Sequence, residues 1–470
     1  MSFGQASIAG GNPWRHELAA TLRLSWPLAL ANLLQMLVWA VDVMFVARLG
    51  EVELAAASLS VAWFGTIMWA FTGLTGMVSA LVSAALGRGT GVARDIRRST
   101  RMAMWLAVMA GAVIILACVN GEAMMLMLGQ RPDIAERCGA FLSIIMWAGI
   151  PMLLANVMRS YIAALGRPVL ATIIIASAVG VAVVANYALV FGNLGAPEMG
   201  LEGSALAAVI TSLYSFTVYV IVIFAIPSLA RFHIFWRFWS PDWSKFAKLM
   251  KLGSPVTMMV LAEAGIFNGA AFMMGIIGAS ELAGHTIALQ IAALAFQIPF
   301  GVAQAATIRV GYFYGARNPE GIARAGWIAV AMGTGFMVVT ASAMLLFPTQ
   351  LLRIYVDPAA PENAAMVAFA LQFIVVAAAF QLFDGIQAVA GGVLRGLQDT
   401  RAPMLIAIFS YWIPGLATMV WLGFYTPLEG LGLWIGLLVG LFFAAGLLLW
   451  RWSARERIGL VPLSAAHTIN

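Results

Sequence analysis

The hydrophobic pattern of the chain consists of long apolar stretches, such as Trp26–Val46 and Leu431–Trp450, separated by charged or Gly/Pro-rich breaks. About 20 residues at a rise of 1.5 Å cross a ~30 Å hydrocarbon core, so stretches of this length predict transmembrane helices. A membrane β-barrel would instead show alternating segments of ~10 residues. The pattern predicts twelve spans with the approximate limits 24–47, 56–85, 102–127, 139–163, 169–191, 203–227, 252–277, 284–312, 325–350, 365–393, 404–424 and 430–452.

The amino-acid composition also indicates a membrane protein. Hydrophobic residues make up 62% of the 470 residues and charged residues only 10%, against about 45–50% and ~25% in soluble domains. We therefore predict an all-α integral membrane protein and exclude a soluble or disordered chain. The two cysteines, Cys118 and Cys138, have no disulfide-framework or metal-ligand spacing. The polar start of the chain favours a retained first helix over a cleaved signal peptide.

The basic residues orient the predicted spans. If both termini are cytoplasmic, 22 of the 26 basic residues face the cytoplasm, and only Arg48, Arg131, Arg137 and Arg353 lie on the other side. The net charge of +6 is then expected to face anionic lipid headgroups, not nucleic acid. The predicted domains are a cytoplasmic N-terminus (1–23), an N-lobe (24–230), an amphipathic interfacial helix as linker (231–251), a C-lobe (252–452) and a cytoplasmic tail (453–470).

Short patterns recur at an offset near 228, which indicates an internal repeat. Pro27 opens the first span and Pro255 the seventh, and Leu201–Gly203 before the sixth matches Leu428–Gly430 before the twelfth. Each half contains an even number of spans, so the halves form parallel repeats. Transporters with such repeats bind substrate between the halves, near the membrane midplane. Chance agreement in a Gly- and Leu-rich sequence is the alternative.

Three carboxylates fall well inside predicted spans: Asp42 in the first, Glu263 in the seventh and Asp384 in the tenth. A charge at such depth costs at least ~2.5–3.5 kcal/mol, and the sequence places no Lys or Arg at a comparable depth. Each group is therefore expected to be protonated, to bind a cation or to face a wet cavity. The simpler alternative is a protonated acid that only hydrogen-bonds the neighbouring backbone.

Other polar side chains at depth are candidates for the same cavity. Gln35 lies two helical turns before Asp42 and shares its face, and Asn186 lies in the fifth span. Both could equally be interhelical hydrogen-bonding groups. His285, near the start of the eighth span, could be a proton relay or a helix-end hydrogen-bonding group. The sequence has no P-loop, HExxH, CxxC or dinucleotide-binding motif, which disfavours an ATP-driven pump or an enzyme.

An ordered set of short motifs runs along the chain: Pro27, Gln35, Val41-Asp42, Arg48-Leu49-Gly50, Asn186-Tyr187, Gly200–Ala205, Gly253-Ser254-Pro255, Glu263, His285, Ile298–Gly301, Asp384-Gly385 and Gly391–Gly396. Taken in this order, the motifs resemble those of the multidrug and toxic compound extrusion (MATE) transporters, most closely the bacterial NorM-type branch. The resemblance covers essentially all twelve spans.

The resemblance implies two six-helix lobes around a central cleft, and exchange of cationic drugs for protons or sodium ions. Asp42 then matches the carboxylate of the N-lobe, and Glu263 and Asp384 match the cation-binding pair of the C-lobe. Phe380 stands where sodium-coupled relatives carry a tyrosine, which favours protons because one oxygen ligand is missing. Gln290 stands where asparagine is common. The expected polar cavity residues are Gln35, Asn186, His285 and Gln290.

The sequence thus predicts a secondary multidrug antiporter of a bacterial inner membrane, not an enzyme, that exports cationic amphipathic compounds. It needs no cofactor besides H+ or Na+, no ATP, and no metal other than a monovalent cation at Glu263 and Asp384. Its expected partners are small drug-like cations and membrane lipids, with a monomeric chain. The alternatives are a flippase for a lipid-linked molecule, which would want a basic cleft, and a passive channel or receptor.

Overall fold

The computed structural model describes residues 12–461, and within them it contains twelve helices that are long and apolar enough to cross a membrane. The predicted number of spans is confirmed. Their bounds are Pro13–Val46, Glu51–Arg88, Val92–Cys118, Pro132–Ala164, Pro168–Phe191, Gly200–Ala225, Trp243–Ile277, Ala279–Gly315, Pro319–Leu346, Pro361–Gly396, Arg401–Phe424 and Glu429–Ser453. Proline opens many of them, because the first helical position leaves its N–H unpaired in any case. Short helices lie between them at Gly121–Met127, Asn193–Gly195, Pro227–Ala230 and Pro348–Leu352.

Two predicted non-spanning segments differ from the structure. The described part of the N-terminal segment 1–23 is helical from Pro13 and continuous with the first span. The linker 231–251 is not an interfacial helix: residues up to Asp242 form turns, and the seventh helix begins at Trp243. His233 and Arg237 adopt left-handed backbone angles, with φ of 46° and 52°, which end helical continuity. Asp242 then caps the new helix by accepting from the backbone N–H of Lys245 at 3.2 Å.

Several spanning helices are interrupted. The second is divided at Met77 into Glu51–Gly76 and Val78–Arg88, and the fourth passes through a 3₁₀ turn at Met146–Ala148. The eleventh contains a π-helical turn, Tyr411–Gly415, that includes Pro414. Because proline cannot donate to the helical ladder, a wider turn accommodates it there.

The described chain divides into two compact units. One contains Leu30–Thr257, and the other contains the chain up to Ala29 together with the chain from Met258 onward. The unit boundaries therefore fall inside the first and seventh spanning helices, just after Pro27 and Pro255, whereas the predicted lobes begin at residues 24 and 252. The two elements divided in this way are the first helix of each predicted repeat.

Each unit has its own apolar core. In the unit Leu30–Thr257 the core contains Phe64, Met102 and Tyr161, all of which are almost completely buried. In the other unit a large core cluster surrounds Phe373 and Trp434. Since lipid tails are as apolar as these side chains, close packing between helices, not exclusion from lipid, is what stabilises such cores.

A buried ion pair corrects the expectation that the basic residues face lipid headgroups. Arg309 and Glu17 are each 5% exposed. The Arg309 guanidinium donates from Nε to Oε1 of Glu17 at 2.7 Å and from Nη2 to Oε2 at 2.5 Å. A bidentate pair of this kind satisfies the guanidinium inside the protein, so this arginine does not contact headgroups.

Candidate ion-binding site

Asp42 and Asn186, which the sequence analysis selected separately, form a hydrogen-bonded pair. The Asn186 side chain is fully buried. Its Nδ2 donates to Oδ1 of Asp42 at 2.7 Å and to the carbonyl oxygen of Ala182, one turn earlier, at 2.9 Å. The Asp42 carboxylate is thereby fixed against the fifth spanning helix. Gln35, on the same helix as Asp42, is half-buried, and the hydrogen bond to the carboxylate comes from Asn186.

The surroundings of Asp42 are apolar. Val38, Val41 and Ala182 form a small buried cluster, against which Phe45 and Val179 pack. A carboxylate with one amide donor and aliphatic neighbours has acceptor capacity left over. A proton or a cationic group can fill it, because both remove the charge that the apolar environment disfavours.

Glu263 and Asp384 form a second acidic site, in the other unit. Glu263 lies on the seventh spanning helix and is half-buried, and Asp384 lies on the tenth and is 7% exposed. The two carboxyl groups are close enough to interact electrostatically. Within the described residues, Oδ1 of Asp384 has no hydrogen-bond partner. A buried acceptor in that condition is rare in folded proteins and marks a place for a bound proton, water or ion.

Two residues that the sequence analysis did not select complete this acidic site. Tyr411, in the π-helical turn, is 2% exposed and lies within electrostatic range of both Glu263 and Asp384. Arg395, on the last turns of the tenth helix, acts electrostatically on Glu263. This corrects the expectation that no basic residue accompanies the carboxylates. Tyr411 thus brings one neutral oxygen near both carboxyl groups, and Arg395 adds a fixed positive charge that acts on Glu263.

Buried amides extend the polar stripe along the tenth helix. Gln381 and Gln387, one turn before and after Asp384, are each 1% exposed. Nε2 of Gln381 donates to Oγ1 of Thr340 at 2.9 Å, while its Oε1 is unpaired in the described part of the chain. Amide oxygens of this type are suitable ligands for hard cations such as sodium ions. No group of three or more His, Cys, Asp or Glu side chains that could hold a metal ion occurs among residues 12–461.

His285 and Phe380 belong to one aromatic cluster. His285 therefore does not act as the hydrogen-bonding group at a helix end that the sequence analysis considered. The Phe380 ring lies 5.5 Å from Trp434 and 5.9 Å from Phe267, measured between centroids. His285 packs edge-on against the same Trp434 at 5.5 Å and is 1% exposed. Neither of its nitrogens has a hydrogen-bond partner within the described chain. Gln290, in contrast, is exposed, so the structure does not place it with the buried polar groups.

Comparison with known proteins identifies a matching family and several similar proteins. The sequence profile of the MatE family matches residues 27–188 and again 255–421. The two matches begin at Pro27 and Pro255, which supports the internal repeat at an offset of 228. The chain is 43% identical over 456 residues to a probable multidrug resistance protein NorM of Mesorhizobium japonicum, with 97% of each chain covered.

Two further similarities concern a second relative and the fold. A probable multidrug resistance protein NorM of Brucella suis is 39% identical over 464 residues, covering 99% of this chain and 98% of the relative. Among solved structures, the outward-facing conformation of a multidrug resistance MATE family transporter of the MOP superfamily matches with a TM-score of 0.82 and 21% identity. That match covers 94% of this chain and 97% of the other, and at this identity it shows the fold alone.

Proposed function

Since the chain belongs to the MatE family, we propose that it is a multidrug efflux transporter that exports cationic amphipathic compounds in exchange for protons or sodium ions. The membrane is the inner membrane of a bacterium, with both ends of the chain in the cytoplasm, as the distribution of basic residues suggests. The printed names of the relatives support export of drugs, and the buried acidic residues support the exchange.

One observation supports the proposal that transport is coupled to an ion. Glu263 and Asp384 interact electrostatically inside the same unit, and an oxygen of Asp384 has no hydrogen-bond partner among the described residues. Two neighbouring carboxylates repel each other strongly where the dielectric constant is low. Binding of one proton or one monovalent cation relieves that repulsion. The pair can therefore load an ion on one side of the membrane and release it on the other.

Exchange follows if ion and drug bind the two states of the transporter with different affinities. A bound coupling ion lowers the affinity of the acidic groups for an organic cation, and its release restores that affinity. The membrane potential supplies ~2.3 kcal/mol per charge moved through 100 mV. Exchange of one coupling ion for one monovalent organic cation moves no net charge, so the potential contributes only when more positive charge enters than leaves. The stoichiometry therefore decides the drug gradient that can be attained.

Phe380 and Tyr411 bear on the choice of ion. Phe380 brings no oxygen to the site, but the Tyr411 hydroxyl lies near both carboxyl groups. A proton needs no further ligands, whereas a sodium ion requires several oxygens. We propose protons as the first choice, with Tyr411 as the residue that would supply the missing phenolic oxygen if sodium is used.

The experiment uses the purified protein in liposomes loaded with a fluorescent organic cation, with a proton gradient in one sample and a sodium gradient in the other. The test variants are Asp384→Asn and Glu263→Gln. Glu362→Gln is the matched control for loss of one charge, because Glu362 is exposed and lies in the 3₁₀ turn Pro361–Asn363 that opens the tenth helix of the same unit. We expect gradient-driven flux in the unmodified protein and in the control, and its loss in both test variants.

Each outcome decides a part of the proposal. Flux under only one gradient identifies the coupling ion. Full ion-driven flux in both Asp384→Asn and Glu263→Gln would refute the assigned roles. No flux under either gradient, from protein that remains folded, would refute the antiporter and favour transport of a lipid-linked molecule, which is then tested as cargo.

A further inference from the structure

A basic cavity lies where the third spanning helix begins, in the unit Leu30–Thr257. Its volume is about 620 Å³, within the ~300–1,000 Å³ typical of small-molecule sites. Four of its arginines, at spacings of three and four residues, share one face of the third helix. A fifth comes from the turn segment 231–242, and we call this site the arginine cavity. Its arginines are Arg94, Arg97, Arg98, Arg101 and Arg237.

The positive charge of the arginine cavity is only partly balanced. Its one acidic side chain is Asp242, which accepts a hydrogen bond from Nε of Arg98. Arg101 is 7% exposed, and its Nη1 donates to the carbonyl oxygen of Arg237 at 3.0 Å. The charges of Arg97, Arg98 and Arg237 all repel that of Arg101. Within the described chain, the buried Nε atoms of Arg97 and Arg101 lack a hydrogen-bond partner. The site therefore has free donors and an excess of positive charge.

The nearby carboxylate of Asp95 supplies only part of the missing charge, because it attracts Arg98 of the cavity together with two cations outside it. Asp95, one residue after Arg94 on the third helix, is engaged by Arg88 at 2.6 Å and by Lys245 at 2.9 Å. Those contacts draw it towards two cations that do not line the arginine cavity. An anion from outside the chain would complete the site.

The cavity is built in advance, because the turn segment is tied to the third helix at several points. Nε1 of Trp105 donates to the carbonyl oxygen of Phe238 at 2.9 Å. The backbone N–H of Asp242 contacts Sδ of Met102 at 3.2 Å. Together with the Arg98–Asp242 pair, these contacts hold Arg237 over Arg101. Preorganised donors lose little entropy when a ligand binds.

The chemistry of the lining selects the anion. Guanidinium groups recognise phosphate oxygens through paired N–H donors. Two tryptophans line the cavity, Trp236 and Trp243, and they are 61% and 65% exposed. Exposed tryptophans mark the headgroup level of a bilayer. A lipid phosphate therefore fits both parts of the site, whereas a soluble phosphate would leave the tryptophans without a role.

We propose that the arginine cavity binds the phosphate group of an anionic phospholipid as a discrete, saturable site. This goes beyond the general attraction of basic loops to a membrane surface, because the ligand enters a preformed cavity. It is also independent of the transported substrate and of the coupling ion. On the proposed orientation the bound lipid belongs to the cytoplasmic leaflet.

The test is native mass spectrometry of the full-length protein in detergent. The probes are dioleoyl phosphatidylglycerol, dioleoyl phosphatidylcholine and inorganic phosphate. We expect the anionic lipid to bind one saturable site about tenfold or more tightly than the zwitterionic lipid. In the variant Arg94→Gln/Arg97→Gln the affinity for phosphatidylglycerol should fall about thirtyfold. The matched control Arg317→Gln/Arg457→Gln, two exposed arginines outside the cavity, should leave it unchanged.

The comparison of lipids on the unmodified protein keeps the test decisive even if a variant folds poorly. Equal binding of the two lipids would overturn the proposal. So would an equal loss in the control variant, which would indicate a diffuse electrostatic effect. Inorganic phosphate that binds as tightly as phosphatidylglycerol, and displaces it, would assign the cavity to a soluble phosphate instead.

Discussion

The contact at Gly392 between the eighth and tenth spanning helices provides a sharp test of the packing that positions Asp384. Oγ1 of Thr307 donates to the carbonyl oxygen of Gly392 at 2.8 Å. A Cβ atom at this position would lie 2.5 Å from the carbonyl oxygen of Ala303 and 2.9 Å from its Cα. Those neighbours are backbone atoms and cannot rotate away. We therefore predict that Gly392→Ala destabilises the protein.

The magnitude follows from the geometry. The added methyl group would lie 0.9 Å inside the 3.4 Å at which ordinary contact begins. Overpacking of this kind costs about 1–3 kcal/mol, and the rigid backbone places it near the upper limit. Alanine recovers about 1 kcal/mol through its higher helix propensity. The net loss is then about 2 kcal/mol. Since Asp384 lies about two turns away on the same helix, separation of the two helices should also reduce transport.

The control is the same substitution where space is open. A Cβ atom at Gly335, inside the ninth spanning helix, has no neighbour within 4 Å. Gly335→Ala should therefore stabilise the protein by about 0.4–1 kcal/mol. Thermal unfolding is followed by tryptophan fluorescence, to which the buried Trp434 and Trp452 of this unit contribute. If both variants shift the unfolding temperature in the same direction, the close helix contact at Gly392 is contradicted.

Three further predictions concern Asp242, Asn186 and the cysteines. Burial raises the pKa of Asp242, but hydrogen bonds and charges from Arg98 and Lys245 outweigh it and hold the pKa below 3.8. The stabilisation that depends on its charge is thus present above pH 3.8 and lost as the pH falls through the lowered pKa. Asparagine caps a helix about as well as aspartate, so Asp242→Asn removes mainly this charge-dependent part. The difference in unfolding temperature between the unmodified protein and Asp242→Asn should therefore shrink in acid, and a constant difference would contradict the ion pair with Arg98. Asn186→Leu removes the donor to Asp42 and should reduce ion-driven flux about tenfold, whereas unchanged flux would make the pair structural. Both cysteines are buried, so maleimide labelling should require unfolding, and rapid labelling of native protein would contradict their burial.

The number of spans was predictable from the sequence because stretches of apolar residues long enough to cross a bilayer are unmistakable. The residues at which the helices begin and end were harder to predict. The seventh helix was expected from residue 252 and begins at Trp243, and the first was expected from 24 and begins at Pro13. Hydropathy reports where a helix enters the apolar layer. The helix itself continues for further turns through the polar layer.

Interruptions of the helices were only partly visible in the sequence. Proline interrupts the hydrogen-bond ladder of a helix, and the π-helical turn of the eleventh span contains Pro414. Met77 and the turn Met146–Ala148 contain no proline. Their geometry depends on how neighbouring helices pack, which no local pattern records.

The acidic residues of the candidate site were predictable because charges are so scarce in this chain. Asp42, Glu263 and Asp384 stand out in apolar surroundings, and Asn186 was selected for the same reason. Tyr411 could not be selected in this way, because an aromatic residue within a span is as well suited to packing as to a site. Its position beside the carboxyl groups depends on the π-helical turn, which tertiary packing sets.

Counting basic residues is a robust guide to orientation but does not show what each one contacts. Arg309 pairs with Glu17 inside the protein, whereas the arginine cavity concentrates five arginines around the single carboxylate of Asp242. An arginine that already has a buried carboxylate partner gains little from an external anion. A cluster with more guanidinium groups than carboxylates keeps its mutual repulsion until an anion enters. The balance between neighbouring charges, which only the structure provides, therefore separates the arginines that stabilise the fold from those able to bind a lipid phosphate.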